Sequence, residues 1–330
     1  MSHSSTQPGP LIRAGWLCML SLTLAPPSAA QEGYPSKPVH IIVPSTPGGG
    51  TDTVTRLLGQ QLAKSMGQPF VIDNRPGAGN VIGAQAAARA APDGYTLLMA
   101  PSTVAINHIV RKNLPYDVLR DFAPITQLVS LPNVLVVTAS LPVHTVAEFI
   151  TLVRQKPGEL TFGSAGVGTA PHLAMELMMS AMNVRLRHVP YKGVAPALTD
   201  IIAGRVSCMT VNALSARRHV EAGTLRALVV TGTERMHDLP DVPTVAEAGY
   251  PKAQSFQWFG LLAPAGTPAP IIARLQSETA HALRTPEMRK RLATEGADPV
   301  GSTPAEFASL IRDEMDKWAT VARAADIRPE

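Results

Sequence analysis

Alternation is the feature that most constrains this chain. Short apolar, β-branched runs take turns with helix-period segments in the order β-α-β-α-β, and the pattern then restarts. Val39, Ile41, Ile42 and Val43 mark a first strand, and residues 53–66 a helix with Val54, Leu57, Leu58 and Leu62 along one face. Phe70-Val71-Ile72 reads as a second strand, residues 84–91 as an Ala-rich helix and residues 95–99 as a third strand. Parallel neighbours need long crossovers, and helical crossovers must bury their apolar stripes on the sheet. The expectation is an α/β fold of mostly parallel sheets flanked by helices.

The restart supplies strand-like runs at residues 134–137, 160–162, 186–189, 206–211 and 225–230, with helices between them. Thr145 and Glu148 have the spacing of a capping box, so a helix should begin there. Residues 256–262 read as another strand and residues 268–283 as a helix. Thr303-Pro304-Ala305-Glu306 opens a last helix with a second capping box and proline at its first position. The organisation expected is two βα lobes joined by two or more crossings. Residues 31–133 with 251–300 form the first lobe, residues 134–250 the second, and residues 301–330 a C-terminal helix packing across both.

The chain has 330 residues, ample for two ordinary domains. Its start reads as an export leader: Arg13, an apolar stretch over residues 14–24, then Ser28-Ala29-Ala30, with cleavage expected before Gln31. The stretch is shorter than the ~20 residues of a bilayer span. Without residues 1–30 only Arg13 is lost from 29 basic side chains, leaving 28 against 25 acidic, a net charge of +3. The basic residues are scattered, which argues against nucleic acid as a partner. Cys208 alone remains beyond the leader, so no intrachain disulfide staples the fold; in its apolar run it reads as a small buried residue.

Two glycine-rich loops carry the chemistry. Pro47-Gly48-Gly49-Gly50-Thr51-Asp52 lies between the first strand and first helix, and Gly163-Ser164-Ala165-Gly166-Val167-Gly168-Thr169 between the strand at Phe162 and the helix holding His172. Glycine lets backbone approach a ligand closely, and a helix start offers unpaired N–H groups at the positive end of its dipole. Each terminus stabilises an anion by ~0.3–1 kcal/mol, or ~2 when partly buried. Two of them facing one cleft would hold a carboxylate without arginine; taken singly, each loop reads equally well as a tight βα turn. Neither loop has the P-loop or Gly-x-Gly-x-x-Gly spacing, and no histidine or cysteine spacing suits a metal, so no cofactor is expected. Gly163-Ser164-Ala165-Gly166 also departs from Gly-x-Ser-x-Gly, so a hydrolase is disfavoured.

Several ordered motifs resemble one family. They include Tyr34-Pro35-Ser36-Lys37-Pro38, Asn74-Arg75-Pro76-Gly77-Ala78-Gly79, Ala91-Pro92-Asp93-Gly94-Tyr95-Thr96, Leu114-Pro115-Tyr116-Asp117, His188-Val189-Pro190-Tyr191-Lys192-Gly193, Leu239-Pro240-Asp241-Val242-Pro243-Thr244 and Trp258-Phe259-Gly260-Leu261-Leu262-Ala263-Pro264, beside the two loops. Together they are similar to the tripartite tricarboxylate transporter receptors, the Bug/TctC-type binding proteins. The resemblance implies a two-lobed type II periplasmic binding fold, acting as a monomer that closes on a small carboxylate and serves a large and a small integral membrane subunit. Carried over, it implies ligand contacts from Ser45, Thr46, Gly49, Gly50, Thr51 and Asp52 in the first lobe. In the second lobe it implies contacts from Ala165, Gly168, Thr169 and His172, with Ser102, Thr103 and Asn212 lining the distal end. Asp52 would repel a carboxylate unless it faces away or meets an ammonium group, and His172 either bonds the ligand or packs at its helix start.

Two positions depart from the family pattern. Relatives commonly place a large aromatic where Ser45 stands, and Phe-Asp where Thr210-Val211 stands. A smaller Ser45 leaves room for a bulkier ligand, and Val211 removes a charge that would hold an amino group. Both favour a non-amino mono- or dicarboxylate. A carboxylate receptor feeding a sensor system, and a secreted α/β enzyme acting on a carboxylate, are the alternatives.

Overall fold

The computed structural model describes residues 1–5, 33–236, 238–294 and 296–327. The chain divides into two units, Met1–Gly33 and Tyr34–Glu330. The expected leader and its cleavage site fall in residues 6–32, outside the described residues. The second unit is the folded body.

Its elements alternate as expected. They are β1 (Val39–Val43), α1 (Gly50–Met66), β2 (Phe70–Asn74), α2 (Val81–Ala88), β3 (Thr96–Pro101), α3 (Thr103–Val110), β4 (Phe122–Thr138), α4 (Val146–Gln155), β5 (Thr161–Ser164), α5 (Ala170–Met182) and β6 (Arg187–Pro190). Then come α6 (Val194–Ile202), β7 (Cys208–Asn212), α7 (Ala213–Glu221), β8 (Leu225–Val230), β9 (Phe256–Pro264), α8 (Ala269–Arg284), α9 (Pro286–Thr294), β10 (Asp298–Pro299) and α10 (Pro304–Ala324).

The sheet is mixed. Strand β1 pairs in parallel with β2 and β3, and β5 in parallel with β6 and β7. Between these two parallel sets run β9 and β4, each antiparallel to its neighbours. Strand β4 serves both sets: its first part, to Pro132, pairs with β9, and from Asn133 onward it pairs with β7 and β8. Sequence marked only the end of β4, because Pro124 and Pro132 read as strand breakers. The structure accommodates Pro124 beside a register shift, between Pro124 and Thr126, and carries Pro132 at the last pairing before the change of partner.

Burial follows the two parallel sets. On one, Leu58, Leu62, Leu97, Leu128, Leu261 and Leu275 pack between α1, α8 and the sheet, and Leu98, Val104, Trp258, Phe307 and Ile311 pack on the opposite face. On the other, Phe149, Phe162, Met178 and Val229 fill one face, and Val134, Ile201, Met209 and Val211 fill the opposite one. A smaller cluster joins the sets: Ile106 and Val110 of α3, Ala170 and Leu173 of α5, and Trp318 and Ala322 of α10. Cys208 is fully buried as expected, and burial pushes its thiol pKa up.

Helix α10 reaches both regions. Its capping box is complete, with Glu306 N–H donating to Thr303 Oγ1 at 3.2 Å and Thr303 N–H to Glu306 Oε2 at 2.8 Å. The box at Thr145 is half made: Glu148 N–H donates to Thr145 Oγ1, but the Glu148 carboxylate accepts from His144 N–H. Phe307 settles α10 on β9 at Gly260, where an added Cβ would come within 2.1 Å of the ring. Among the described residues, no helix is long and apolar enough to cross a membrane.

Candidate ligand-binding site

Each glycine loop leaves the carboxyl end of a parallel strand, the end at which open α/β sheets bind ligands. The first joins β1 to α1. Gly49 caps α1 without a side-chain bond, and the N–H groups of Gly50, Thr51 and Asp52 have no acceptor among the described residues. Asp52 faces inward. Its carboxylate accepts from Gly48 N–H (2.9 Å), Arg56 Nε (2.9 Å) and Asn74 Nδ2 (3.0 Å), and only 3% of the residue is exposed. Burial alone would raise its pKa; the bonds from Arg56, Gly48 and Asn74 outweigh that and hold the carboxyl below its ordinary range. Asn74 also donates to Ser45 O at 3.1 Å and accepts from Arg56 at 3.0 Å. Asp52, Arg56 and Asn74 thus brace the loop from behind. The Ser45 hydroxyl, in contrast, is buried with no partner among the described residues. Thr46 is exposed beside it.

The second loop joins β5 to α5 and is braced by rings. His172, 4% exposed, accepts the Gly168 N–H on Nδ1 at 3.0 Å, which leaves its proton on Nε2, 3.6 Å from the Glu176 carboxylate. His172 stacks on His188 with centroids 4.0 Å apart, and His188 stacks on Phe162 at 4.7 Å. Ser164 Oγ hydrogen-bonds His188 Nε2 at 2.6 Å and also bonds Gly166 through its N–H and carbonyl. The Thr169 hydroxyl donates to Gly166 O at 2.7 Å. Thr210 of β7 donates to Pro171 O at 2.7 Å and fixes the first turn of α5. The N–H groups of Ala165, Val167, Ala170 and His172 are left without an acceptor among the described residues.

Ser164 and His188 form a serine–histidine pair that sequence spacing did not suggest. It is built as a brace. Ser164 is fully buried, and burial, with His172 adjacent, pushes the His188 pKa down to about 3, which makes it a weak base. Among the described residues, no group of three or more His, Cys, Asp or Glu side chains could hold a metal.

The remaining candidates sit where strands end. Ser102 and Thr103 open α3 after β3, both buried, and neither hydroxyl has a hydrogen-bond partner among the described residues. Asn212 closes β7 and caps α7, its Oδ1 accepting from Ser215 N–H at 3.0 Å. Gly168 lies against Val110 of α3, so the second loop touches the helix that follows β3. The structure therefore sorts the candidates. Ser45, Gly50, Thr51, Ser102, Thr103, Ala165 and Asn212 keep unused donors. The carboxylate of Asp52, the Nδ1 of His172, the N–H of Gly168 and the hydroxyl hydrogen of Thr169 are taken by the protein itself. Two surface hollows, of about 340 and 290 Å³, lie elsewhere, beside Phe70 and beside Leu225.

Residues 54–327 match the profile of the tripartite tricarboxylate transporter family receptor. The chain belongs to that family. Protein BugT of Bordetella pertussis is 38% identical over 301 residues, covering 91% of this chain and 92% of BugT. Rpa4515 of R. palustris, solved with adipate, is 38% identical with a TM-score of 0.86 and covers 90% of this chain and 100% of its own. MatC of Rhodopseudomonas palustris, solved with malate, is 34% identical with a TM-score of 0.80, covering 87% and 99%. The fold of this receptor is the two-lobed type II periplasmic binding fold, with β4 and β9 running between its two parallel sets of strands.

Proposed function

We propose that this receptor works in the periplasm, where it captures a small non-amino mono- or dicarboxylate between its lobes and delivers it to the large and small membrane subunits of a tripartite tricarboxylate-type transporter. One observation carries the reading. Two helix starts, α1 and α5, present N–H groups without acceptors among the described residues, while the ionisable candidates, Asp52 and His172, are held by the protein. What remains is a set of neutral donors suited to an anion.

The proposed lobes are residues 31–133 with 251–300, and 134–250, with residues 301–330 across them. The distribution of buried side chains supports this division, since α10 contributes Phe307 to one cluster and Trp318 to the cluster shared by α3 and α5. The relatives solved with adipate and with malate support a carboxylate ligand. Val211, buried and apolar, offers nothing to an ammonium group.

The test is a thermal-shift panel of mono-, di- and amino-carboxylates, joined to native mass spectrometry of protein purified from its own host. Non-amino carboxylates should raise the melting temperature, and one should co-purify. A shift with aspartate or glutamate alone would refute the ligand class, and turnover of a carboxylate by pure protein would refute the receptor reading.

A further inference from the structure

Where β4 leaves β9 and takes up β7, the structure buries a rack of three carboxamides. Asn212 Nδ2 donates to Gln257 Oε1 at 3.4 Å, and Gln257 Nε2 donates to Asn133 Oδ1 at 2.9 Å. Behind them Asn133 N–H donates to Thr231 Oγ1 at 2.8 Å, and Asn133 Nδ2 reaches Ser255 Oγ at 3.5 Å. Asn133 is 1% exposed and Asn212 and Gln257 each 7%, so Asn133 forms the back of the rack and the other two its front.

The polarity of this rack is set from outside it. Asn212 Oδ1 must face Ser215 N–H, a backbone donor at the start of α7. Its Nδ2 therefore faces Gln257, whose Oε1 must turn to meet it, and Gln257 Nε2 must then face Asn133 Oδ1. Every carbonyl oxygen in the chain of amides accepts a bond, and every amide nitrogen keeps one hydrogen without an acceptor among the described residues. An unpaired buried N–H is rarer and costlier than an under-used carbonyl, so the front of the rack calls for an acceptor.

Topology places it beside the ligand loops. Strand β9 runs antiparallel to β3, so Gln257 sits at the carboxyl end of β3, next to Trp258, whose carbonyl accepts from Ser102 N–H. Asn212 is the carboxyl end of β7, paired with Asn133. Carboxyl ends from both lobes thus meet at the rack, where the strand order reverses.

We propose that Gln257, together with Asn212, determines specificity by donating to an oxygen at the far end of the bound carboxylate. The inference rests on the carboxylate-receptor reading and narrows it. The preferred ligand carries a second oxygen function, α,ω-dicarboxylates foremost, over the same chain ending in a methyl or an ammonium group.

The experiment is isothermal titration of wild type, Gln257→Leu and Gln257→Glu at neutral pH. The probes are succinate, glutarate and adipate, each against its matching monocarboxylate (butyrate, pentanoate, hexanoate) and ω-amino acid. Wild type should favour at least one dicarboxylate over its monocarboxylate by about tenfold or more, the worth of a hydrogen bond to a charged acceptor. Gln257→Leu should collapse that ratio. Gln257→Glu, nearly isosteric, should turn the preference toward the ω-amino acid, which a merely structural role would not do; it carries the test if the leucine variant does not fold. An unchanged ratio in Gln257→Leu, parallel weakening of all probes in Gln257→Glu, or a wild type indifferent to the far end overturns the inference and leaves the receptor reading standing. A wild type that binds no carboxylate overturns both.

Discussion

Gly168 is the position where one added methyl tests the most. It has φ +71°, and a Cβ built there would lie 2.3, 2.7 and 3.0 Å from Cγ2, Cβ and Cγ1 of Val110. Val110 is 3% exposed on α3 and is β-branched, so its side chain has little freedom to swing aside. In Gly168→Ala the left-handed backbone costs ~1–2 kcal/mol. The overlap with Val110 costs a further ~1–3 kcal/mol, as for other overpacked sites. A loss of ~2–5 kcal/mol should lower the melting temperature by about 5–15 °C in a domain of this size. The two parts separate in a double-mutant cycle. Val110→Ala makes room for the methyl but leaves the backbone strain, so the double variant should be more stable than the sum of the singles by ~1–3 kcal/mol. Guanidinium melts of the four proteins measure this. A Gly168→Ala midpoint within ~1 kcal/mol of wild type, or strict additivity with Val110→Ala, would show that the second loop does not rest on α3.

Other sites give simpler expectations. Asp52→Ala strips acceptors from Gly48 N–H and Asn74 and leaves Arg56 without its partner, so it should cost ~2–4 kcal/mol; Asp52→Asn should cost less. Chemical denaturation ranks the two, and equal losses would argue against the network. His188 is neutral in the fold down to about pH 3, whereas in the unfolded chain it takes up a proton near its ordinary 6.5. Its contribution is therefore complete above pH 6.5 and declines as pH falls toward 3. His188→Gln should show a shallower fall in guanidinium midpoint over that range, and a slope equal to wild type refutes the assignment. Thr303→Ala opens the capping box of α10 and should cost ~1 kcal/mol, read as a small drop in melting temperature; no drop would mean the end of α10 frays in the folded protein.

Sequence revealed the elements whose signals are local. The β1 run, the Thr303 capping box and the strand at residues 225–230 all reappear in the structure at or near the expected bounds. Helix α3 escaped because Val104, Ala105 and Ile106 are all buried, so no polar face betrays a helical period. Helix α1 begins at Gly50, three residues before its expected start at Thr53, because a helix's first turn needs no apolar residue. Asn133 and Gln257 were invisible for a different reason. Gln257 lies inside a strand-like run and Asn133 just before one, and the partners that make them a rack lie far along the chain, 124 residues apart for that pair.

The same logic explains why the loops themselves were legible and the fate of their charged residues was not. Glycine, threonine and a following helical period declare a βα junction in a short window. Whether Asp52 or His172 points at a ligand depends on what stands behind it, and that is supplied by β2 in one loop and β6 in the other. Asn74 at the end of β2 and Arg56 on α1 draw the Asp52 carboxylate inward; His188 on β6 offers a ring face that draws His172 inward. Different residues reach the same arrangement in the two loops. In each, an ionisable side chain in the first turns of the helix bonds a glycine N–H of its own loop, Asp52 to Gly48 and His172 to Gly168, four residues back in both cases. That bond shapes the turn from within and removes the side chain from the mouth of the loop. Backbone N–H groups at both helix starts are left without acceptors among the described residues, and residue type alone, which reads an aspartate as repulsive and a histidine as a ligand, does not reveal that both side chains are held by their own loops.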